Sequence, residues 1–424
     1  MYLIRHIPFL KAVFQHSLTA FGGPQVHLGL LQHRFVEQRR DLTAEELMEF
    51  NAFCQLLPGA SSTQTVVLIA FKRGGFSLAA LTLLIWIFPA TAFMGSLAIA
   101  YTHFNLQPLL KSLYLLQPMV IGFIASATYL LYKKAVRNTI THFVFLAAAV
   151  LTIVGFKTPW TIPVVIVLAG IVTNFSNKRI PDQGAAPKKI KWIQLHLFIL
   201  FFLAAGFVSE QATRQNWEHR KVFNLFENNY RFGSFVFGGG DVLIPMMYEQ
   251  YVTRPNSDRV KENKRDVLKI NSAAFLTGSG IVRAIPGPIF SIASFTGALA
   301  LEEEGVGGQV IGAIVASIGV FLPSFLIVLF FFPIWQKLKK FALFYRSLEG
   351  IYASVVGIML GATLYLLKDI LFDLGSLTPL NMGIYLLVFF ATAVLLARYK
   401  IAPQWIVVST IFLGAVLSQW AAIF

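Results

Sequence analysis

Phe21-Gly22-Gly23-Pro24-Gln25 decides the fold of this chain, because it breaks a helix inside an apolar run and it recurs. The recurrence is Phe237-Gly238-Gly239-Gly240-Asp241. A second stretch behaves alike: Leu57-Pro58-Gly59-Ala60 returns as Ile285-Pro286-Gly287-Pro288. In hydrocarbon an unpaired backbone N–H or C=O is so costly that irregular backbone survives only where protein or a lined cavity shelters it. Paired breaks in corresponding positions of two halves point to a binding site near the bilayer midplane.

The flanking sequence supports a membrane setting. The chain has 424 residues, of which 56% are hydrophobic and only 13% charged, with a mean hydropathy of +0.67. That excludes a soluble protein. Apolar runs of roughly 20 residues recur to the end, as expected of a polytopic membrane protein. A net charge of +15 raises nucleic acid as a partner. The Lys and Arg lie in short loops between apolar runs, where they set topology, so no nucleic acid is expected. One cysteine, Cys54, excludes an intramolecular disulfide and a multi-cysteine metal site. No metal and no cofactor are expected. The first apolar run carries the Phe-Gly-Gly-Pro motif and no small-residue cleavage site precedes it, so it is expected to stay in the mature protein.

The expected fold is all-α and polytopic, with two inverted repeats of broken helices. About thirteen apolar segments lie near 8–30, 47–71, 76–102, 108–132, 140–156, 160–175, 192–209, 222–250, 267–300, 307–334, 342–367, 381–397 and 401–421. Residues 1–175 form a first repeat, 176–209 a polar linker (Ser176 to Lys191) plus one extra helix, and 210–424 a second repeat. Phe35-Val36 matches Tyr251-Val252, and Phe88-Pro89 matches Leu322-Pro323. Six segments, one extra and six more place the second half in the membrane from the opposite side. Counting lysine and arginine puts the N-terminus in the cytoplasm and the C-terminus outside. On that count Lys72 and Arg73 are inside, whereas Arg34, Arg39 and Arg40 are outside. If segment 47–71 dips in and returns, those three arginines are inside instead. Whether 47–71 and 267–300 cross or re-enter stays open.

The breaks carry chemistry. Gly22 and Gly23 permit a turn without Cβ conflict, and Pro24 suits the first position of the next helix. After Pro58-Gly59 come Ser61, Ser62 and Thr63, whose hydroxyls either cap the new N-terminus, donate to a ligand, or bond back to their own helix. The repeat offers Pro286-Gly287 with Ser291. Helix N-termini bind anions through backbone donors. Arg283, three residues before Pro286, is a cation inside an apolar stretch, where the first half has Gln55. A guanidinium matches an oxyanion with paired donors. Asp241, where the first half has Gln25, either pairs with Arg283 or exchanges a proton as a coupling group. The substrate-binding candidates are therefore Gly22, Gly23, Pro24, Gln25, Gln55, Pro58, Gly59, Ser61, Ser62, Gly238, Gly239, Gly240, Arg283, Pro286, Gly287 and Ser291. His16 and His27 flank the first break and read as neutral, hydrogen-bonded histidines. Cys54 reads as packing, and Glu302 to Glu304 as a solvated loop.

At these residues the chain resembles the chromate ion transporter family, in its long form with two homologous domains. The resemblance rests on Phe21-Gly22-Gly23-Pro24, the loop Arg34-Phe35-Val36-Glu37-Gln38-Arg39-Arg40, and Cys54-Gln55-Leu56-Leu57-Pro58-Gly59. Phe237-Gly238-Gly239-Gly240 and Pro286-Gly287-Pro288 are the second domain's version. The resemblance implies a carrier in the cell (inner) membrane that exports chromate, with sulfate as near isostere, driven by the proton motive force or by anion exchange (antiport). Ala60 stands where the family often has Pro, Arg283 where many members resemble the first domain's Gln, and Arg254 to Arg265 is an insert-like polar stretch. The expectation is a secondary transporter of a tetrahedral divalent oxyanion working by alternating access, and not an enzyme. The alternatives are a carrier of sulfate or another anion, an anion channel, and a membrane-embedded lipid-phosphate enzyme. Partners are the anion, the lipid bilayer and a second copy of the chain as a homodimer.

Overall fold

In a computed structural model the described residues are 4–21, 24–104, 112–155, 161–175, 193–237, 239–257, 260, 262, 267–335, 342–373 and 378–420. All regular structure among them is helical. The first half supplies α1 (Ile7–Ser17), α2 (Pro24–Leu31), α3 (Ala44–Leu56), α4 (Ser61–His103), α5 (Leu116–Ala135), α6 (Thr139–Gly155) and α7 (Thr161–Val172). Next come α8 (Ile193–Arg214), α9 (Arg220–Phe235), α10 (Gly240–Tyr248), α11 (Ser272–Ile281) and α12 (Ile292–Ala300). The chain ends with α13 (Gly305–Phe331), α14 (Ala342–Lys368), α15 (Pro379–Ala397) and α16 (Pro403–Trp420). The linker Ser176 to Lys191 and half of the insert-like stretch lie outside the described residues.

Local chemistry sets the boundaries. Thr43 and Glu46 form a reciprocal capping box that starts α3, and Asn271 and Thr378 cap α11 and α15 through their side chains. Among the described residues, five helices are long and apolar enough to cross a membrane: Ser61–His103, His196–Arg214, Glu302–Ile334, Arg346–Phe372 and Pro379–Ala397. The first of these is not one straight rod. Gly74 (φ −154°, ψ 22°) and Gly75 (φ 67°, ψ −160°) interrupt α4. The Trp86 indole donates to Thr63 Oγ1 at 3.0 Å, although the 23 residues between them would span about 34 Å of straight helix. Residues 61–73 and 76–103 are therefore two arms folded back on each other. The repeat does the same: α12 and α13 meet through Glu302–Glu304 and Gly305 (φ 73°, ψ −171°).

The chain divides into two compact units, each drawing on both halves. One comprises residues 1–103, 187–240 and 285–336; the other comprises 104–186, 241–284 and 337–424. Glycines permit close helix approach in both, as is usual in membranes. In the first unit a Cβ at Gly233 would collide with the Val320 carbonyl, and one at Gly297 with that of Gly312. In the second, Gly350 abuts the Ala169 carbonyl and Gly357 that of Phe145, which seats α14 on α7 and α6.

One sequence expectation is corrected within the first unit. Lys72 pairs with Glu46 at 2.6 Å, and Arg73 pairs with Asp41. Arg39 also holds Asp41 (2.8 Å) and donates to the Pro8 carbonyl at 3.1 Å. Pro8, Arg39, Asp41, Glu46, Lys72 and Arg73 thus share one end of the unit. Arg39 and Arg73 cannot then lie on opposite faces. Within the unit the chain therefore runs out from Pro8 and back to Arg39, and out from Asp41 and back to Arg73, which is the alternative left open for segment 47–71.

Candidate functional site

The corners described here lie in the first unit and are clasped in pairs. The Gly59 N–H donates to the Val236 carbonyl at 2.6 Å, and the Gly287 N–H donates to the Ala20 carbonyl at 2.9 Å. Val236 precedes Phe237 as Ala20 precedes Phe21. The second break of each half therefore bonds to the first break of the other half. Both donors have strongly positive φ, +111° at Gly59 and +117° at Gly287, and Gly239 shares it at +104°. Only glycine occupies this region without strain. The next contacts are paired too. A Cβ at Gly59 would collide with Ser324, which follows Pro323; one at Gly287 would lie 2.7 Å from Ala90 Cβ, which follows Pro89.

The clasps take up donors that sequence reading assigned to a ligand. The N–H groups of Gly59 and Gly287 go to carbonyls, and the Ala60 N–H donates to Ser324 Oγ at 3.3 Å. Ser291 is fully buried and its hydroxyl donates to the Pro288 carbonyl. Ser61 and Ser62 are half-buried at the start of α4, and Pro58 and Pro286 are half-buried beside their glycines. Gly240 is buried against Ile289. Gln55 is exposed. Gly22, Gly23 and Gly238 lie outside the described residues, as do the side chains of Pro24 and Gln25.

The first unit also holds Gln64 and Arg231, which sequence reading passed over, and His16 and His27, both expected to be hydrogen-bonded, of which His27 is and His16 is not. Gln64 Nε2 donates to the Pro58 carbonyl at 2.8 Å and to the Ser324 carbonyl at 3.3 Å, which braces the corner. His27 Nε2 contacts the Ala20 carbonyl at 2.9 Å, so that carbonyl accepts from both His27 and Gly287. His16 stacks on Trp86 at 5.0 Å, fully buried, with no hydrogen-bond partner on either ring nitrogen. Arg231 is a second buried cation, on α9, bonded to Asn228 at 3.0 Å. It follows Glu227-Asn228-Asn229-Tyr230, and Glu227 lies 3.7 Å from its Nε.

In the second unit Arg283 and Asp241 meet. Arg283 Nη1 donates to Asp241 Oδ1 at 2.5 Å, with side-chain exposures of 4% and 27%. The guanidinium carbon lies 4.5 Å from the centroid of the Phe123 ring. Asp241 engages one nitrogen only. Nε and Nη2 are buried and have no hydrogen-bond partner. These two nitrogens form one edge of the planar fork, which is the geometry that accepts two oxygens of an oxyanion at once. A buried cation with two unused donors is costly unless a ligand completes it.

Equivalent positions also share a rare backbone form. Gln32–Gln38 and Glu249–Thr253 are both π-helical. Phe35 and Tyr251, matched in the sequence repeat, are both fully buried, and their carbonyls accept from Asp41 N–H (2.8 Å) and Ile270 N–H (2.9 Å). Single π turns cluster at functional sites.

The family model described as Chromate transporter matches residues 7–174 and 223–416. An uncharacterised transporter of Methanocaldococcus jannaschii is 26% identical over 353 residues, covering 82% of this chain and 81% of that protein. A chromate transport protein of Cupriavidus metallidurans is 25% identical over 398 residues, covering 93% and 89%. A chromate transport protein of Pseudomonas aeruginosa is 24% identical over 363 residues, covering 84% and 80%. No solved structure matches the chain. The two matched segments fall on the two halves that carry the repeated corners, and this all-α membrane transporter belongs to the chromate transporter family.

Proposed function

We propose that this chain carries a tetrahedral divalent oxyanion outward across the cell membrane, with chromate as the substrate and sulfate as its competitor. The observation that carries the reading is the buried Arg283, whose Nε and Nη2 have no partner. A dianion presents pairs of oxygens at the spacing of that edge. The relatives named chromate transport protein support chromate among such dianions. Asp241 holds the guanidinium in place and serves as the coupling group. Its proton or its release from Arg283 would alternate with the anion.

The matching corners support two repeats inserted in opposite directions, the arrangement suited to alternating access. The clasps join a corner of each half to a corner of the other. The halves as written in sequence therefore do not separate as independent bodies without breaking two buried backbone hydrogen bonds, so the access change we propose leaves the clasps intact. An N-terminus in the cytoplasm fits the basic end formed by Arg39, Lys72 and Arg73.

Purified protein in sealed proteoliposomes tests the reading. Chromate flux is expected to saturate, to be inhibited by sulfate, and to fall when the pH or anion gradient is collapsed. Flux that rises linearly with concentration and ignores the gradient would indicate a channel and refute a carrier.

A further inference from the structure

We propose that the second unit holds a site for an anionic phospholipid between α5 and α15, with the headgroup on Lys133, Arg398 and Lys400. The two helices pack tightly at Gly122. A Cβ there would lie 2.7 Å from the Phe389 carbonyl. Beyond that point small side chains, Ala125 and Ser126 on α5 and Ala393 and Ala397 on α15, line a cavity of about 610 Å³. That volume lies within the range of small-ligand sites.

The cavity is polarised along its length. Its inner walls are small and apolar. Lys133 lies in the last turn of α5, and Arg398 and Lys400 follow the end of α15, so all three line the cavity at one end. None of the described residues lining it is acidic. Lys133 Nζ sits 4.3 Å from the centroid of the Tyr129 ring, which fixes the ammonium beside the mouth. Three cations and no counter-charge call for an anion.

The setting selects a lipid over a soluble anion. The span Pro379–Ala397 ends one residue before Arg398, so the cations lie at the level where a membrane span meets water. Tyr129 is 47% exposed there and Val394 50%, an aromatic and an apolar group at headgroup depth. A phosphate ester on the cations with its chain along the Ala-lined groove satisfies both ends of the cavity. Basic pockets between transmembrane helices bind anionic headgroups in this way. The site is separate from Arg283 and does not depend on which anion is transported.

The test uses the full-length protein, delipidated in detergent and titrated with phosphatidylglycerol or phosphatidylcholine of the same acyl chains, read by native mass spectrometry. Phosphatidylglycerol is expected to bind at least about tenfold more tightly than phosphatidylcholine. The triple variant Lys133→Gln/Arg398→Gln/Lys400→Gln should abolish that preference. A control with equal charge loss at exposed positions elsewhere, Arg5→Gln/Lys11→Gln/Arg214→Gln, should keep it. Ala397→Phe fills the groove and leaves every cation in place; it should lower phosphatidylglycerol retention about as far. Glycerol phosphate, a headgroup without chains, should not compete. The proposal fails if the cavity triple keeps the preference, if the control loses it equally, if Ala397→Phe has no effect, or if glycerol phosphate displaces the lipid. Thermal unfolding of each variant distinguishes lost binding from lost folding, and the control and Ala397→Phe arms still decide the matter if the cavity triple unfolds.

Discussion

Arg283→Lys is the sharpest probe of anion recognition, because it keeps the charge and removes only the fork. The guanidinium is 4% exposed, gives Nη1 to Asp241, and has Nε and Nη2 unused. An ammonium in its place reaches a dianion with one donor instead of two. A hydrogen bond to a charged group contributes about 1.5–3 kcal/mol. Losing one such bond weakens Kd roughly 10- to 150-fold. Lysine also loses the stacking on Phe123, which adds to the loss in the same direction. Asp241→Asn should act in the opposite sense. It removes the carboxylate 2.5 Å from Nη1 and leaves the cation un-neutralised for a dianion. Affinity should hold or rise, while gradient-driven transport is lost. Calorimetric titration of the purified variants with sulfate and chromate reads the affinities, and proteoliposome flux reads the coupling. Arg283→Lys binding both dianions within about twofold of the unmodified chain would refute this account of the fork, provided its thermal unfolding is unchanged.

Other predictions concern the corners. Gly75→Ala meets nothing within 4 Å and should cost only the backbone strain of φ +67°, about 1–3 kcal/mol. Gly59→Ala adds a collision with Ser324 and should lower the melting temperature further; Ser324→Gly in the same chain should recover only the steric part. Equal melting for Gly59→Ala and Gly75→Ala would mean the corner is not packed as described. Gln64→Glu should be worse than Gln64→Leu, because it turns an acceptor toward two carbonyls, and unfolding measurements on the two variants check the order. His16→Phe keeps the stack on Trp86 and removes two unpartnered nitrogens, so it should be neutral or stabilising, whereas His27→Phe deprives Ala20 of a donor and should cost about 1 kcal/mol; a transport defect in His16→Phe with normal melting would show that His16 carries protons.

Much of this was legible in the sequence because glycine and proline report on backbone more directly than other residues. The pairing of Gly59 with Gly287 and of Phe21 with Phe237 predicted which corners correspond, and Gly59 and Gly287 share one unusual conformation. Arg283 stood out as a lone cation, and its partner Asp241 was one of two roles considered for that carboxylate. The donors were misjudged for a physical reason. A free N–H after a break is free only if no other chain segment approaches it, and the approach of Val236 to Gly59 spans 177 positions. Nothing local in Pro58-Gly59 encodes that. Gln64 and Ser324 were missed alike, although Ser324 follows the repeated Pro323 and that proline was the available clue. Hydropathy does not distinguish a crossing from a return near 8–30 and 47–71. An apolar run long enough to span says nothing of a return at its centre, whereas Asp41 and Glu46 paired with Arg73 and Lys72 decide it.

The two halves share their backbone and differ in their charge, and that difference bears on mechanism. At matched positions the corners have the same φ, the same cross-clasp and a proline-following residue packed against the glycine. The residue three before the proline is an exposed Gln55 in one half and a buried, half-satisfied Arg283 in the other. The residue at the Asp241 position is Gln25 in the first half. A duplicated scaffold alone would offer two equivalent neutral sites. On the proposed reading, one ion pair in one half would make recognition of charge the property of a single site. Importing an arginine into the first half tests that division. Gln55 is exposed where Arg283 is buried, so Gln55→Arg should add only a hydrated cation and leave the calorimetric stoichiometry at one. A stoichiometry of two in the unmodified protein would show that the shared backbone binds anions by itself and that Arg283 is not what confers the site.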